Sequence, residues 1–180
     1  MEIVIILGNI EKRETDAIVN ASNKYLFWED VTVNGVIHVG AGMEFTNYCA
    51  EWIKGNIALE TSKAMITPGF NLKSKYIINT VGPVFPCHEN EAPEQLWETI
   101  YNCMKLADDY NCKSISFPLI STGVFMFPKE PAIDIILNSV VEFGNTINKN
   151  VEMVEIVAYT KSDFELIKKI IVKVDDINFN

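Results

Sequence analysis

The sequence predicts an α/β fold in which a mixed, mostly parallel sheet is covered by helices on both faces. Three observations support this prediction. Residues 2–7 form a continuous apolar run, which is typical of a strand buried on both faces. Short apolar stretches then alternate with longer amphipathic ones, as in successive β/α units. The 180 residues, of which 48% are hydrophobic and 22% charged, correspond to one globular domain.

The first half of the chain contains three further predicted strands and one predicted helix. The apolar stretch 16–20 is short enough to be a second strand. Residues 36–57 predict one long helix, in which residues 40–42 include two glycines. Because glycine in a helix costs about 1 kcal/mol relative to alanine, we expect a ligand or neighbouring backbone to pack closely there. Residues 64–67 and 76–81 are strands separated by turn residues.

The second half continues the alternation. Residues 94–110 carry apolar side chains at helical spacing. Residues 114–117 form the next predicted strand, and Pro131 suits the first turn of the helix that follows it. A further strand at 154–159 leads into the last helix. The motif Ser-x-x-Glu at 162–165 predicts a capping box at the start of that helix.

Charge limits the classes of ligand. The chain has 15 basic and 24 acidic residues, which gives a net charge of −9. Binding of nucleic acid independent of sequence needs clustered lysine and arginine, so it is not expected. An anionic small molecule remains compatible, because backbone N–H groups can bind phosphate without a basic side chain.

The cysteine spacing and the lengths of the apolar runs indicate the cellular compartment in which the protein is expected. The four cysteines are irregularly spaced, with no C-x-x-C pair, so we expect free thiols in a cytoplasmic protein. No metal site and no cofactor is predicted. The apolar N-terminus has no basic segment before it, and no run reaches the ~18 residues of a membrane span. We therefore expect no signal peptide and no membrane association.

Unusual residues follow the predicted strands, at the edge of the sheet where such folds bind ligands. The loop 118–125, with Gly123, can form either a nest of N–H donors for phosphate or a plain turn. Asn20 and Asn23 can bind hydroxyl groups or form an Asx-turn. Tyr159 can stack on a base or be a half-buried edge aromatic. The spacing alone leaves each of these alternatives open.

Taken together, four stretches resemble the macrodomain, an ADP-ribose-binding α/β module: residues 16–23, 64–72, 78–83 and 117–125. Their order and spacing fit that family across roughly residues 2–172. The resemblance implies a three-layer α/β/α sandwich with a six- to seven-stranded sheet. It also implies a single macrodomain at residues 1–174, followed by a short, frayed tail at 175–180.

The resemblance implies a place for each part of ADP-ribose. Asn9 would accept a hydrogen bond from the adenine amino group, where the family usually has an aspartate, so we expect weaker adenine selection. Tyr159 would stack on adenine, and Phe125 would lie beside the distal ribose. Ser121, Thr122, Gly123 and Val124 match the diphosphate loop. The other implied contacts are Ile10 at the adenine, Asn23 at the distal ribose, and Asn20, Ala21 and Gly35.

Departures from the family concern catalysis. Hydrolytic MacroD-like members have a run of glycines and then Val-Asp-Gly, whereas residues 27–35 lack that run and form a loop one residue longer. Asn34 stands in place of the aspartate that activates water in those members, and an amide cannot act as a base. Phe27, Trp28 and Met126 are bulky enough to narrow or cover the distal-ribose end of the cleft.

Three functional hypotheses remain, of which we rank the first highest. The chain binds ADP-ribose, or ADP-ribosyl groups on a mono-ADP-ribosylated protein, as a monomer with little or no turnover. Alternatively it is an ADP-ribosyl-protein hydrolase or an O-acetyl-ADP-ribose deacetylase with a non-standard acid or base. The third hypothesis is a degenerate macrodomain for another nucleotide or a protein partner, which exposed loop aromatics would favour. The candidate catalytic residues are Asn23, Asn34, Glu29 and Asp30.

Overall fold

In the computed structural model, which describes residues 1–30, 32–87 and 89–171, the strands form one six-stranded sheet. The strands are β1 (Glu2–Leu7), β2 (Ala17–Ala21), β3 (Ala64–Pro68), β4 (Tyr76–Thr80), β5 (Ser114–Pro118) and β6 (Met153–Ala158). Their order is β1-β6-β5-β2-β4-β3, and all neighbouring pairs are parallel except β3 with β4. The predicted mixed, mostly parallel sheet is confirmed.

Within the described residues, five α-helices cover the two faces of this sheet. They are α1 (Val33–Ala41), α2 (Met43–Asn56), α3 (Ala92–Asp109), α4 (Lys129–Thr146) and α5 (Lys161–Ile171). Strand side chains alternate between two cores: Ile18 and Ile77 join α1 and α2, while Val19 and Ile78 join α3, α4 and α5. The predicted three-layer sandwich is confirmed. None of these five helices is long and apolar enough to cross a membrane.

The single helix predicted at residues 36–57 is wrong, because the chain breaks it into α1 and α2 at Gly42. That residue has φ of 90°, and its N–H donates to the His38 carbonyl to end α1. A Cβ at Gly42 would lie 2.5 Å from Nδ2 of Asn71, and one at Gly40 would lie 2.9 Å from Cδ2 of Leu72. The glycines therefore make room for the loop before β4.

The C-terminal helix begins earlier than its sequence motif predicts. Thr160 caps α5, since its Oγ1 accepts from the Asp163 N–H at 3.1 Å and donates to the Asp163 carboxylate at 2.7 Å. The capping box predicted at 162–165 is therefore wrong by two residues. The predicted tail at 175–180 lies outside the described residues.

An ion pair between buried Glu155 and half-buried Arg13 joins the sheet to the segment before β2. Glu155, in β6, accepts from Nε and Nη2 of Arg13 at 2.8 and 2.6 Å. It also accepts from the Ser116 hydroxyl at 2.6 Å, and Thr15 bonds to that hydroxyl at 2.8 Å. Burial raises the pKa of Glu155, but the hydrogen bonds from Arg13 and Ser116 outweigh it, so the pKa lies below its ordinary value.

The four cysteines are free. Cys49, Cys103 and Cys112 are buried, and Cys87 is exposed. Burial raises the pKa of Cys49 and of Cys103 to about 12. Both side chains are therefore protonated thiols at neutral pH, which behave as small apolar groups in the core.

Candidate functional site

A cleft of about 530 Å³ opens at the carboxyl ends of β1, β6, β5 and β2. These four strands are adjacent and parallel, so the loops that follow them meet at one edge of the sheet. Nine of the predicted site residues line the cleft: Asn9, Ile10, Ala21, Glu29, Ser121, Gly123, Val124, Phe125 and Tyr159. Six others do not: Asn20, Asn23, Asp30, Asn34, Gly35 and Thr122.

The loop after β5 forms a tight turn around the middle of the cleft. Ser121 adopts φ of 65°, is 7% exposed, and its hydroxyl has no hydrogen-bond partner within the described residues. Thr122 is different, because its hydroxyl donates to the Leu119 carbonyl at 2.8 Å. The turn closes where the Met126 N–H donates to the Gly123 carbonyl at 2.9 Å. The loop thus presents its backbone to the cleft, whereas the Ser121 hydroxyl is buried close to Gly82.

Gly82, after β4, lets this loop approach the sheet closely. A Cβ at Gly82 would lie 2.3 Å from Oγ of Ser121 and 2.6 Å from Cγ2 of Ile120. Met126 adopts φ of 56°, although it stands where the resemblance places a glycine. The left-handed turn is therefore kept without the residue that adopts it most easily.

One end of the cleft is formed by the loops after β1 and β6. The Gly8 N–H donates to the Ala158 carbonyl at 2.9 Å and ties the two loops together. Asn9 is half-buried, and its side-chain amide donates to Oε1 of Glu11 at 2.9 Å. Tyr159 is 78% exposed beside it, which leaves one face of its ring open for stacking.

Beneath the other end lies a buried amide cluster. Nδ2 of Asn20 donates to Oδ1 of Asn34 and to Oδ1 of Asn79, both at 2.9 Å. The Ser22 hydroxyl donates to Oδ1 of Asn34 at 3.2 Å, and Nδ2 of Asn34 donates to the Phe27 carbonyl at 2.5 Å. Asn34 is 1% exposed. Asn20 and Asn34 therefore support the floor of the cleft and do not face a ligand.

Asn23 shapes the loop that follows β2. Its Oδ1 accepts from the N–H groups of Tyr25 at 3.0 Å and Phe27 at 3.1 Å, and its Nδ2 donates to the Phe27 carbonyl at 2.9 Å. This is the Asx-turn alternative for Asn23. In this structure the side-chain amide is engaged by the loop, and the residue does not line the cleft.

Residues 28–30 of this loop cross over the N-terminal turn of α1, and their side chains point alternately away from the cleft and into it. Glu29 lines the cleft, whereas Trp28 and Asp30 line an adjoining depression that shares Glu11 and Val36 with the cleft. Gly35 lies beneath this crossing, because a Cβ there would be 2.0 Å from the Glu29 carbonyl oxygen. Thr32 caps α1 by accepting from the Gly35 N–H at 3.1 Å.

The bulky residues predicted to narrow the distal-ribose end stand outside the cleft. Phe27 is 59% exposed, Trp28 51% and Met126 61%, and none of the three lines it. The cleft is therefore open in this structure. Glu11 and Glu29 are the charged residues that line it among the described residues, so any phosphate bound here must rely on neutral donors.

Glu11 and Ser22 line the cleft and Asn79 lies in the amide cluster beneath it, but none of them was among the candidate site residues predicted from the sequence. Asn79 could have been found once the strand order was known, since it is the register partner of Asn20 in β4. Glu11 gives a local signal, because it lies two residues from Asn9. Ser22 is buried and has no distinctive sequence pattern.

Comparison with known sequences identifies macrodomain proteins as relatives of this chain. A family model described as "Macro domain" matches residues 19–136. The chain is 40% identical over 170 residues to a Macro domain-containing protein of Methanosarcina mazei, which covers 94% of this chain and 88% of that protein. It is 37% identical over 166 residues to the ADP-ribose glycohydrolase MACROD2 of Homo sapiens, covering 90% of this chain and 37% of that relative.

Solved structures agree with the sequence comparison. An Oceanobacillus iheyensis macrodomain mutant with ADPR superposes with a TM-score of 0.89 at 34% identity, covering 94% of this chain and 91% of that one. A Trypanosoma brucei macrodomain in complex with ADP-ribose superposes with a TM-score of 0.85 at 28% identity, covering 94% and 69%.

Proposed function

Because this chain belongs to the macrodomain family, we propose that it binds ADP-ribose, or ADP-ribosyl groups on a partner protein, with little or no turnover. The observation that carries this proposal is an open cleft whose floor holds a buried, hydrogen-bonded amide at residue 34. We further propose one macrodomain at residues 1–174 that acts as a monomer in the cytoplasm. Free cysteines support that compartment.

In the proposed complex, adenine lies at the end of the cleft formed by Asn9, Ile10 and Tyr159. The diphosphate lies along the loop 121–124, where backbone N–H groups can donate to it. Phe125 packs beside the distal ribose. Neutral donors explain how a protein of net charge −9 can hold a dianion.

Asn34 supports the assignment of binding without turnover. General-base catalysis needs a group that can take a proton within hydrogen-bond reach of the reacting water. The Asn34 amide has no such basicity, and its Nδ2 is committed to the Phe27 carbonyl at 2.5 Å. The residue is also 1% exposed and does not line the cleft.

Isothermal titration with ADP-ribose, ADP and AMP tests the proposed function. We expect micromolar binding of ADP-ribose that is clearly tighter than binding of ADP, because only ADP-ribose fills the distal end. Tyr159→Ala should weaken binding about tenfold through lost stacking on adenine. Tyr48→Ala is the matched control, because it removes an exposed aromatic of α2 that does not line the cleft. Absence of ADP-ribose binding by the unaltered chain would refute the proposal.

A hydrolase is the second candidate, and the position of Glu29 favours it. This carboxylate lines the cleft, and a positioned carboxylate contributes typically 10²–10⁴-fold as a general acid or base. The similarity to MACROD2 points the same way. The deacetylase alternative would use the same carboxylate.

Turnover of a mono-ADP-ribosylated protein separates the two candidates. We expect no release of ADP-ribose above background from the unaltered chain, and therefore no change in Glu29→Gln. Asp30→Asn makes the same change of charge outside the cleft. Turnover that Glu29→Gln abolishes while Asp30→Asn and ADP-ribose affinity are unchanged would establish the hydrolase instead.

The third candidate, a surface for a protein partner, is supported by the exposed rings of Phe27 and Trp28. These aromatics lie on the same loop as Glu29, so a partner bound there would lie next to the cleft. We rank this candidate below the other two, because the cleft itself is open.

A further inference from the structure

Asn9 occupies a position where its side chain would ordinarily cap a helix. It is the N-cap residue of the 3₁₀ turn Ile10–Lys12, with extended backbone at φ of −102° and ψ of 130°. Its side chain makes no capping hydrogen bond. Instead, Nδ2 donates to Oε1 of Glu11 at 2.9 Å. The amide is therefore directed by a neighbouring side chain and not by the backbone.

The chemistry of that partner fixes which end of the amide faces it. An ionised carboxylate only accepts hydrogen bonds, so the Asn9 atom that meets Glu11 has to be the NH₂ group. The carbonyl oxygen Oδ1 then points away from Glu11 and has no hydrogen bond within the described residues. A hydrogen bond to a charged acceptor is also stronger than one between neutral groups, which holds this orientation.

Glu11 is itself held in place against α1. A Cβ at Gly40 would lie 3.5 Å from Cβ and 3.6 Å from Cγ of Glu11, so the stem of this side chain packs against the helix backbone. Glu11 is half-buried and lines the cleft together with Asn9. Within the described residues, its carboxylate makes its hydrogen bond to Asn9 alone.

We infer that Glu11 is a positioning residue that makes Asn9 an acceptor and so selects 6-amino purines over 6-oxo purines. The inference rests on the proposed binding of ADP-ribose, with adenine beside Asn9. The amino group of adenine donates to Oδ1 of Asn9. A 6-oxo purine would bring its carbonyl oxygen against the same oxygen, and turning the amide would break its bond to Glu11.

Residues 9 and 11 are therefore coupled. An aspartate at residue 9 has no N–H to donate, and it would put two carboxylates within hydrogen-bond distance of each other. Glutamine at residue 11 can accept from Asn9 or donate to it. In that variant both amide orientations are satisfied, so Asn9 can present either Oδ1 or NH₂ to the ligand.

The test is isothermal titration with ADP-ribose and with its hypoxanthine analogue. The unaltered chain should prefer ADP-ribose by about tenfold or more, since the analogue leaves a half-buried acceptor unpaired. In Glu11→Gln this preference should fall to less than about threefold. Glu51→Gln, which removes an exposed acid on α2, is the control and should keep the preference. Thermal unfolding of each variant verifies that it is folded.

A double-mutant cycle gives a second, sign-based readout. Glu11→Gln should weaken ADP-ribose binding in the unaltered chain but strengthen it in the Asn9→Asp background, where it relieves repulsion. If ADP-ribose binds but Glu11→Gln keeps the full preference, or acts with the same sign in both backgrounds, the positioning role is refuted alone. If the unaltered chain binds no ADP-ribose, the proposed function fails and the inference with it.

Discussion

Replacing Arg13 with alanine is expected to destabilise the protein by about 3–5 kcal/mol at pH 7, because it leaves the Glu155 carboxylate buried without its partner. Among the described residues, Arg13 supplies two of the three side-chain hydrogen bonds to that carboxylate, and the Glu155 side chain is 7% exposed. A loss of this size is a large part of the stability of an ordinary domain. Chemical denaturation at pH 7 measures it directly.

The pH dependence identifies the cause of this loss. In the unaltered protein the pKa of Glu155 lies below its ordinary value of 4.5, so the group adds stability above pH 4.5 that is lost as pH falls through the folded-state pKa. Without Arg13, burial dominates and raises the pKa of Glu155. Lowering the pH then protonates the Glu155 carboxylate of the variant and removes the cost of burying an unpaired charge. We therefore expect the difference in stability between the two proteins to narrow from pH 7 to about pH 4.

Two control variants test whether the effect on stability comes from the charge of Arg13 or from the geometry of its contact with Glu155. Lys73→Ala removes a cation from an exposed pair with Glu14 and should change the stability far less than Arg13→Ala does, because solvent screens that pair. Arg13→Lys keeps the charge but loses the two-pronged contact with Glu155, so its cost should be intermediate. A constant deficit of Arg13→Ala across this pH range would contradict the assigned cause.

Restoring an aspartate at residue 34 is expected to destabilise the protein by about 2–3 kcal/mol without creating a hydrolase. The introduced carboxylate would still accept from Asn20 and Ser22, but its second oxygen would face the Phe27 carbonyl that the Asn34 amide now binds. A buried charge and two opposed oxygens replace a satisfied hydrogen bond. Position 34 also lies outside the cleft lining.

Denaturation and turnover measure the two parts of this prediction separately. Asn34→Asp should lower the unfolding free energy at pH 7 and release no ADP-ribose from a modified protein. Asn23→Asp is the comparison, because its amide donates to the same Phe27 carbonyl from a half-exposed position in the loop after β2. It should therefore cost less. Turnover in Asn34→Asp at unchanged stability would contradict our account of the floor of the cleft.

Local patterns in the sequence were enough to predict the strands and the loops around the cleft. Apolar runs such as residues 2–7 indicated strands correctly, but the expectation that this run is buried on both faces is wrong. It forms the edge strand β1, in which Ile3 alone is buried. Parallel strands also place their carboxyl ends together, so Asn9, Ser121 and Tyr159 could be expected at one site. The family resemblance added the order in which ligand groups would meet them.

Features that depend on contacts distant in sequence could not be predicted. The break at Gly42 depends on the position of Asn71, which a helical pattern does not contain. The buried amide cluster depends on Asn20 and Asn79 being register partners in adjacent strands. The path of Glu29 over Gly35 depends on the length of a loop that differs from the family pattern.

The pairing of β1 with β6 sets the order in which the site can form during synthesis. Glu2 pairs with Met153, and Leu7 pairs with Ala158, so β1 cannot pair with β6 until about 150 more residues have been synthesised. Pairing of strands so far apart in sequence is slow. Until it occurs, the apolar strand β1 is unpaired and prone to aggregate. Asn9 and Tyr159 follow these two strands directly. The proposed adenine end of the cleft therefore forms only after β6 has been synthesised. Adenine nucleotides should stabilise chains that include β6 against unfolding, but not nascent chains that lack it.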